Sequence, residues 1–142
     1  MNALLGVALT VALALGVTAG ALFGLRDRSV LTSPPEATAE DFMRKLVTQR
    51  YVRAHADLGD DLAQQVTPDS LRSLLRALES RVGTIVDVRG ERLWMTDGAA
   101  RAAAVLETER GEKVEVEVPL EWSGGEWAVA DVRGLERDRR TE

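Results

Sequence analysis

Hydrophobic and polar positions divide the chain into three stretches with different periods. From Asn2 to Leu25 no side chain is charged, and Arg26-Asp27-Arg28 ends that run abruptly. As a helix at about 1.5 Å per residue it reaches roughly 35 Å, enough to cross a bilayer core of about 30 Å. From Thr38 to Val82 apolar residues recur at helical spacing. Beyond Gly83 the period falls from 3.6 to 2.

The helical stretch opens after Ser29–Ala37, a short segment stiffened by Ser33-Pro34-Pro35. Thr38-Ala39-Glu40-Asp41 has the form of a capping box, with Thr38 as N-cap and acids facing the positive helix end. Phe42, Leu46 and Val47 follow on one face, and Tyr51, Ala54, His55 and Leu58 form a second stripe. Gly59-Asp60-Asp61 reads as a helix break, after which Leu62 and Val66 resume the spacing. Thr67-Pro68-Asp69 starts a further helix, with Thr67 as N-cap and proline at N1. Its stripe is Leu71, Leu74, Leu75, Leu78 and Val82, and Gly83 is placed to end it.

Four strands follow, over 85–96, 99–109, 113–122 and 126–133. Asp97-Gly98, Arg110-Gly111 and Ser123-Gly124-Gly125 punctuate them as turns. In the third, Val114, Val116, Val118, Leu120 and Trp122 point one way and Glu115, Glu117 and Glu121 the other. One core face and one solvated face suit an antiparallel sheet. Helices followed by a meander give an α+β class: an N-terminal transmembrane helix, then about three helices packed on a curved four-stranded antiparallel sheet. The divisions are 1–25 as anchor or signal peptide, 26–37 as spacer, 38–135 as the domain and 136–142 as a disordered tail.

Two readings of the N-terminus compete. A secretory signal has a basic start, an apolar stretch of about 7 to 15 residues and a small-x-small cleavage site. Ala19-Gly20-Ala21 supplies such a site, with cleavage after Ala21, but Met1-Asn2 carries only the α-amine and the run continues through Leu25. Its continuous length favours an uncleaved single-pass anchor in the cell membrane. The positive-inside rule leaves a bias of about one charge, because Asp27 sits between Arg26 and Arg28.

The order of helices and strands resembles the nuclear-transport-factor-2-like (NTF2-like), or cystatin-like, superfamily. In particular it resembles bacterial domains of unknown function that sit behind a signal or anchor. The carrying residues are Phe42, the run Arg50-Tyr51-Val52-Arg53-Ala54-His55-Ala56-Asp57-Leu58, then Leu62 to Leu71 with Thr67-Pro68-Asp69. Leu78, Val82-Gly83 and the hairpin Trp122-Ser123-Gly124-Gly125-Glu126-Trp127 complete them. The likeness covers Thr38 to Arg133 and rests on structural motifs, so it implies a fold and no activity. It also implies a domain facing outside the cytoplasm. Enzymes of the superfamily, such as ketosteroid isomerase and scytalone dehydratase, work from a cone between helices and sheet with an acid–base set in an apolar pocket.

Composition narrows the chemistry. The net charge is −5 and all of it lies after Leu25, so nucleic acid is not an expected partner. There is no cysteine, which removes disulfides, thiol nucleophiles and Cys-based metal sites. With a single His, no metal site and no cofactor are expected. The pocket candidates are Tyr51, His55, Trp94 and Trp127. Tyr51 and His55, four apart, share a helical face and either line a pocket or pack as a half-buried pair beside the sheet. Asp87 and Asp131 are the strand carboxylates best placed to complete a set. Trp94, Trp122 and Trp127 either stack on a ligand or pack in the core, and core packing suits Trp122, in phase with Val114 to Leu120. The resulting expectation is a membrane-anchored envelope protein: a non-catalytic binding or assembly module for a partner protein or a small apolar ligand. The alternative is a small isomerase-, dehydratase- or cyclase-like enzyme using Tyr51 and His55.

Overall fold

The computed structural model describes residues 33–136. The apolar run read as an anchor or signal peptide, and the tail from residue 137 on, lie outside the described residues. Among these, no helix is long and apolar enough to cross a membrane.

Four α-helices come first, one more than the periodicity predicts. Helix α1 spans Pro35–Val47, α2 Tyr51–His55, α3 Asp60–Gln65 and α4 Pro68–Val82. Helix α1 begins a turn before Thr38, because Pro34 serves as N-cap and its carbonyl accepts from the Ala37 and Thr38 amides at 3.0 and 3.1 Å. Pro35 at N1 has no amide to leave unpaired and a backbone already set for the helix. Where a single break was expected at Gly59, a separate short helix starts, with Asp60 and Asp61 in its first turn. Helix α4 begins as the sequence indicates: Thr67 Oγ1 accepts from the Ser70 amide at 3.1 Å. It ends at Gly83, whose φ of 101° suits glycine.

The strands are β1 (Ile85–Met95), β2 (Ala99–Thr108), β3 (Lys113–Ser123) and β4 (Glu126–Val129), an antiparallel meander in chain order. The last strand is shorter than its alternation suggests. Asp131 Oδ1 accepts from the Arg133 amide at 2.9 Å, a turn that bends the chain into a 3₁₀ segment over Arg133–Glu136. Val132 and Leu135 on this bend join the core.

Val114, Val116, Val118 and Leu120 are buried on the inner face, as their period requires. They meet Phe42, Met43 and Leu46 from α1 and Leu71, Leu75 and Leu78 from α4 in one core. Trp122 departs from the expected packing: one residue from the end of β3, it is 42% exposed and meets Trp127 rather than the helices' core side chains. Glu115, Glu117 and Glu121 are half-buried rather than fully solvated, and Glu117 pairs with Arg101 at 2.7 Å.

Both free edges of the sheet are occupied. Along β1, α1 and α4 supply partners: Glu40 Oε1 accepts from the Gly90 amide at 2.9 Å and Arg44 donates to the Val88 carbonyl at 2.7 Å. Glu79 accepts from the Ile85 amide at 3.1 Å. Along β4, the Gly59 amide donates to the Val129 carbonyl at 2.9 Å and the Val129 amide to the Asp57 carbonyl at 2.8 Å. Such cover keeps an edge strand from pairing with another chain. Helix α1 runs against the direction of β1, with Glu36 on Arg92 at one end and Val47 beside Ile85 at the other.

Candidate functional site

The four pocket candidates do not share one pocket. His55 Nε2 stands 2.7 Å from the Val66 carbonyl and 3.0 Å from that of Ala63. Both partners are acceptors, so Nε2 carries the proton and the ring ties α2 to the end of α3. Trp94 is 45% exposed near the tip of the β1–β2 hairpin. Trp127 packs against the core edge and meets Trp122 edge to face, with centroids 5.3 Å apart. It also borders a small polar cleft of about 140 Å³ with Asp57 and Glu126. The expected strand carboxylates are engaged or outward: Asp131 pairs with Arg133 at 2.8 Å and Asp87 is exposed.

Of the four pocket candidates Tyr51 borders the larger clefts, and Asp131 lines another of about 520 Å³ with Leu62, Val66 and Val132. Helix α1 ends in a Schellman-type turn: the Gln49 amide donates to the Leu46 carbonyl at 3.0 Å and the Arg50 amide to that of Lys45 at 2.7 Å. Gln49 takes the left-handed position with φ of 64°, a place usually held by glycine. That turn sets Tyr51 at the start of α2, facing the first half of α4. The Arg72 guanidinium lies 5.1 Å from the Tyr51 ring centroid, a cation–π contact.

This stacked pair divides two adjoining clefts. One, of about 500 Å³, has an apolar floor of Val47, Leu75 and Ile85 and a rim bearing Arg76 and Glu79. The other, of about 570 Å³, runs past Arg50, Val52, Arg53 and Asp69. Gln49, Tyr51 and Arg72 border both. Four guanidiniums thus face two carboxylates, and both carboxylates are occupied: Asp69 pairs with Arg72 at 3.2 Å and Glu79 holds the Ile85 amide. Among the described residues no acid pairs with Arg50, Arg53 or Arg76. The chain's negative charge is locally reversed here.

A second charged group lies behind α2. Lys45 Nζ stands 2.8 Å from both Asp41 Oδ2 and Asp57 Oδ2. Burial works against the Lys45 ammonium, yet its bonds to Asp41 and Asp57 outweigh this and raise its pKa. Burial pushes the Asp57 carboxyl up, although Lys45 pulls the other way. No cluster of His, Asp and Glu among the described residues could hold a metal ion.

Sequence reasoning singled out Tyr51 but missed Gln49, Arg50, Arg53, Arg72 and Arg76 around it. The available signal was the i, i+4 spacing of Arg72 and Arg76 beside the Leu71–Leu75 stripe, which puts both on one flank of α4.

No protein-family model matches the chain, and no curated protein matches it. A crystal structure from Campylobacter jejuni, provisionally named an NTF2-like transpeptidase, superposes with a TM-score of 0.56 at 17% identity. The match covers 70% of this chain and 100% of that one. At this identity the likeness is one of fold: the described residues form an α+β domain, four helices on a curled four-stranded antiparallel sheet, similar in fold to that structure.

Proposed function

We propose that this chain is a membrane-tethered binding or assembly module of the bacterial envelope, whose NTF2-like domain meets a partner protein on its outer surface. The observation that carries the reading is the filled space between helices and sheet. Phe42, Met43, Leu46, Leu71, Leu78 and Leu120 occupy it and are at most 2% exposed. Burial of these side chains between helices and sheet, where superfamily enzymes keep a pocket, supports a role for the outer surface. Among surface features, the Tyr51–Arg72 clefts combine volume, charge and an apolar floor. In this reading the tether is the uncharged run ending at Leu25, with the domain on the extracytoplasmic side of the bilayer.

The rival reading is a small enzyme. Its acid–base pair would be Tyr51 and His55, but the His55 Nε2 proton is committed to two carbonyls. A transpeptidase reading, suggested by the name of the Campylobacter jejuni protein, calls for a nucleophile beside an activating base. The hold of two backbone carbonyls on the His55 ring favours binding over a Tyr51–His55 acid–base pair.

Two measurements test this. After alkaline carbonate extraction the full chain stays with the membrane pellet, whereas a chain lacking residues 1–25 is soluble and unfolds cooperatively. Release of the full chain would remove the tether, and aggregation of the shortened one would assign the apolar run to the core. Titrated with a neutral naphthylamine dye, the shortened chain shows no saturable binding. Stoichiometric uptake of the dye would restore the pocket readings.

A further inference from the structure

We propose that the two clefts joined at Tyr51 and Arg72 form one groove that takes a short acidic segment of a partner protein, with carboxylates on the arginines and an apolar side chain on the floor. The inference rests on the binding-module reading and names the chemistry of its partner.

Charge complementarity is the first support. Arg50, Arg53 and Arg76 are exposed and have no acidic partner among the described residues, within a chain of net charge −5. Arg72 is held over the Tyr51 ring, so one guanidinium at the centre is already oriented. Fixed, planar guanidiniums favour carboxylates through paired N–H donors.

The groove's shape is the second. Its two halves, about 500 and 570 Å³, share Gln49, Tyr51 and Arg72 as lining. Guanidiniums lie along both halves, so a single inorganic anion would engage one end only. Val47, Tyr51, Val52, Leu75 and Ile85 line the halves beside the charges and supply apolar contact. A long nucleic acid would meet the repulsion of the acidic remainder of the chain, whereas a short segment stays within the reversed field.

The place of the groove on the domain is the third. The chain arrives from its tether at Pro34, at the N-terminal end of α1, and the groove begins at Val47, at the other end. At about 1.5 Å per residue these lie roughly 20 Å apart. The groove thus opens at the end of the domain remote from the point of attachment.

The test uses the full chain in phosphatidylcholine nanodiscs and a fluorescein-labelled peptide of alternating glutamate and leucine, followed by anisotropy. A peptide with glutamine in place of glutamate is the control. The glutamate peptide binds saturably and weakens with salt, and the glutamine peptide does not bind. Arg72→Gln with Arg76→Gln weakens binding by at least about tenfold, and so does Arg50→Gln with Arg53→Gln. Arg101→Gln, on the outer sheet face, leaves it unchanged. Circular dichroism melting separates a folded variant from an unfolded one, and the two independent pairs guard against loss of either. Absence of binding, equal loss with Arg101→Gln, or displacement of the peptide by phosphatidylglycerol in the disc would each overturn the proposal. The carbonate and dye measurements would then still stand or fall separately.

Discussion

The Glu40 carboxylate of α1 accepts the amide proton of Gly90 on β1 at 2.9 Å, while its other oxygen receives Arg44 at the same distance. One side chain therefore closes an edge strand and fixes the spacing of helix and sheet. Gly90 permits that spacing: a Cβ there would collide with the Glu36 carbonyl oxygen on the α1 backbone.

Gly90→Ala accordingly forces α1 off the sheet. Backbone cannot swing aside as a side chain does, so the expected loss is about 2–3 kcal/mol, in the range of an overpacked core site. Urea denaturation of the chain lacking residues 1–25 measures it. Gly98→Ala, with open space around its Cβ, is the control and shifts stability by less than about 0.5 kcal/mol.

Glu40 also sets part of the acid response. The Gly90 amide, helped by Arg44 and opposed by burial, holds its carboxyl below the ordinary carboxylate range. Glu36 is lowered likewise, chiefly by its bond to Arg92. A lowered folded-state pKa gives stability that is present above the unfolded value near 4.3 and lost as pH falls through the folded one. Glu40→Gln therefore lowers stability at pH 6 by about 1 kcal/mol and flattens the decline below pH 4.3. Denaturation midpoints at pH 3 and pH 6 check both.

Asp57 has the opposite sign. Its carboxyl is raised, mainly by burial, so between the unfolded value near 3.9 and its folded value the native state binds the extra proton. In that window its own contribution grows as pH falls and shrinks as pH rises. Lys45→Met leaves Asp57 half-buried without its cation and costs about 2 kcal/mol at pH 7, below the range for fully buried pairs. Without Lys45 the folded Asp57 carboxyl rises further, and the deficit narrows as pH falls from that higher value to the folded value in the unaltered chain. A deficit independent of pH would show that the lysine stem, not the ion pair, carries the effect.

Gln49 sits at φ of 64° in the turn after α1. A left-handed non-glycine residue costs about 1 kcal/mol relative to glycine. Gln49→Gly is expected to raise stability by about that amount, read as a higher thermal midpoint. If the Gln49 side chain contributes to the groove, the same variant binds the acidic peptide more weakly. That combination would mark strain kept for binding.

Much of this architecture is readable from residue patterns. The alternation from Val114 to Leu120, the cap at Thr67 and the stop at Gly83 are local signals, and the fold keeps them. Trp122 shares the phase of Val114 but not its burial, because phase reports a face and not what packs against it. His55 invites a catalytic reading because its partners, the Ala63 and Val66 carbonyls, are backbone groups that composition does not reveal. The groove is harder still. Its arginines come from α2, the turn before it and α4, and only the packing of these helices brings them together. Gln49, unlike glycine, carries no mark of a left-handed turn.

The most direct test of an outward-facing site is photo-crosslinking in intact envelopes from benzoylphenylalanine placed at Val52. This rim residue is 75% exposed. Trp94, exposed at the opposite end of β1, is the matched control. The account predicts one discrete protein adduct from position 52 that is lost in Arg72→Gln with Arg76→Gln, and none from position 94. Equal adducts from both positions, or an adduct at 52 indifferent to the arginines, would contradict it.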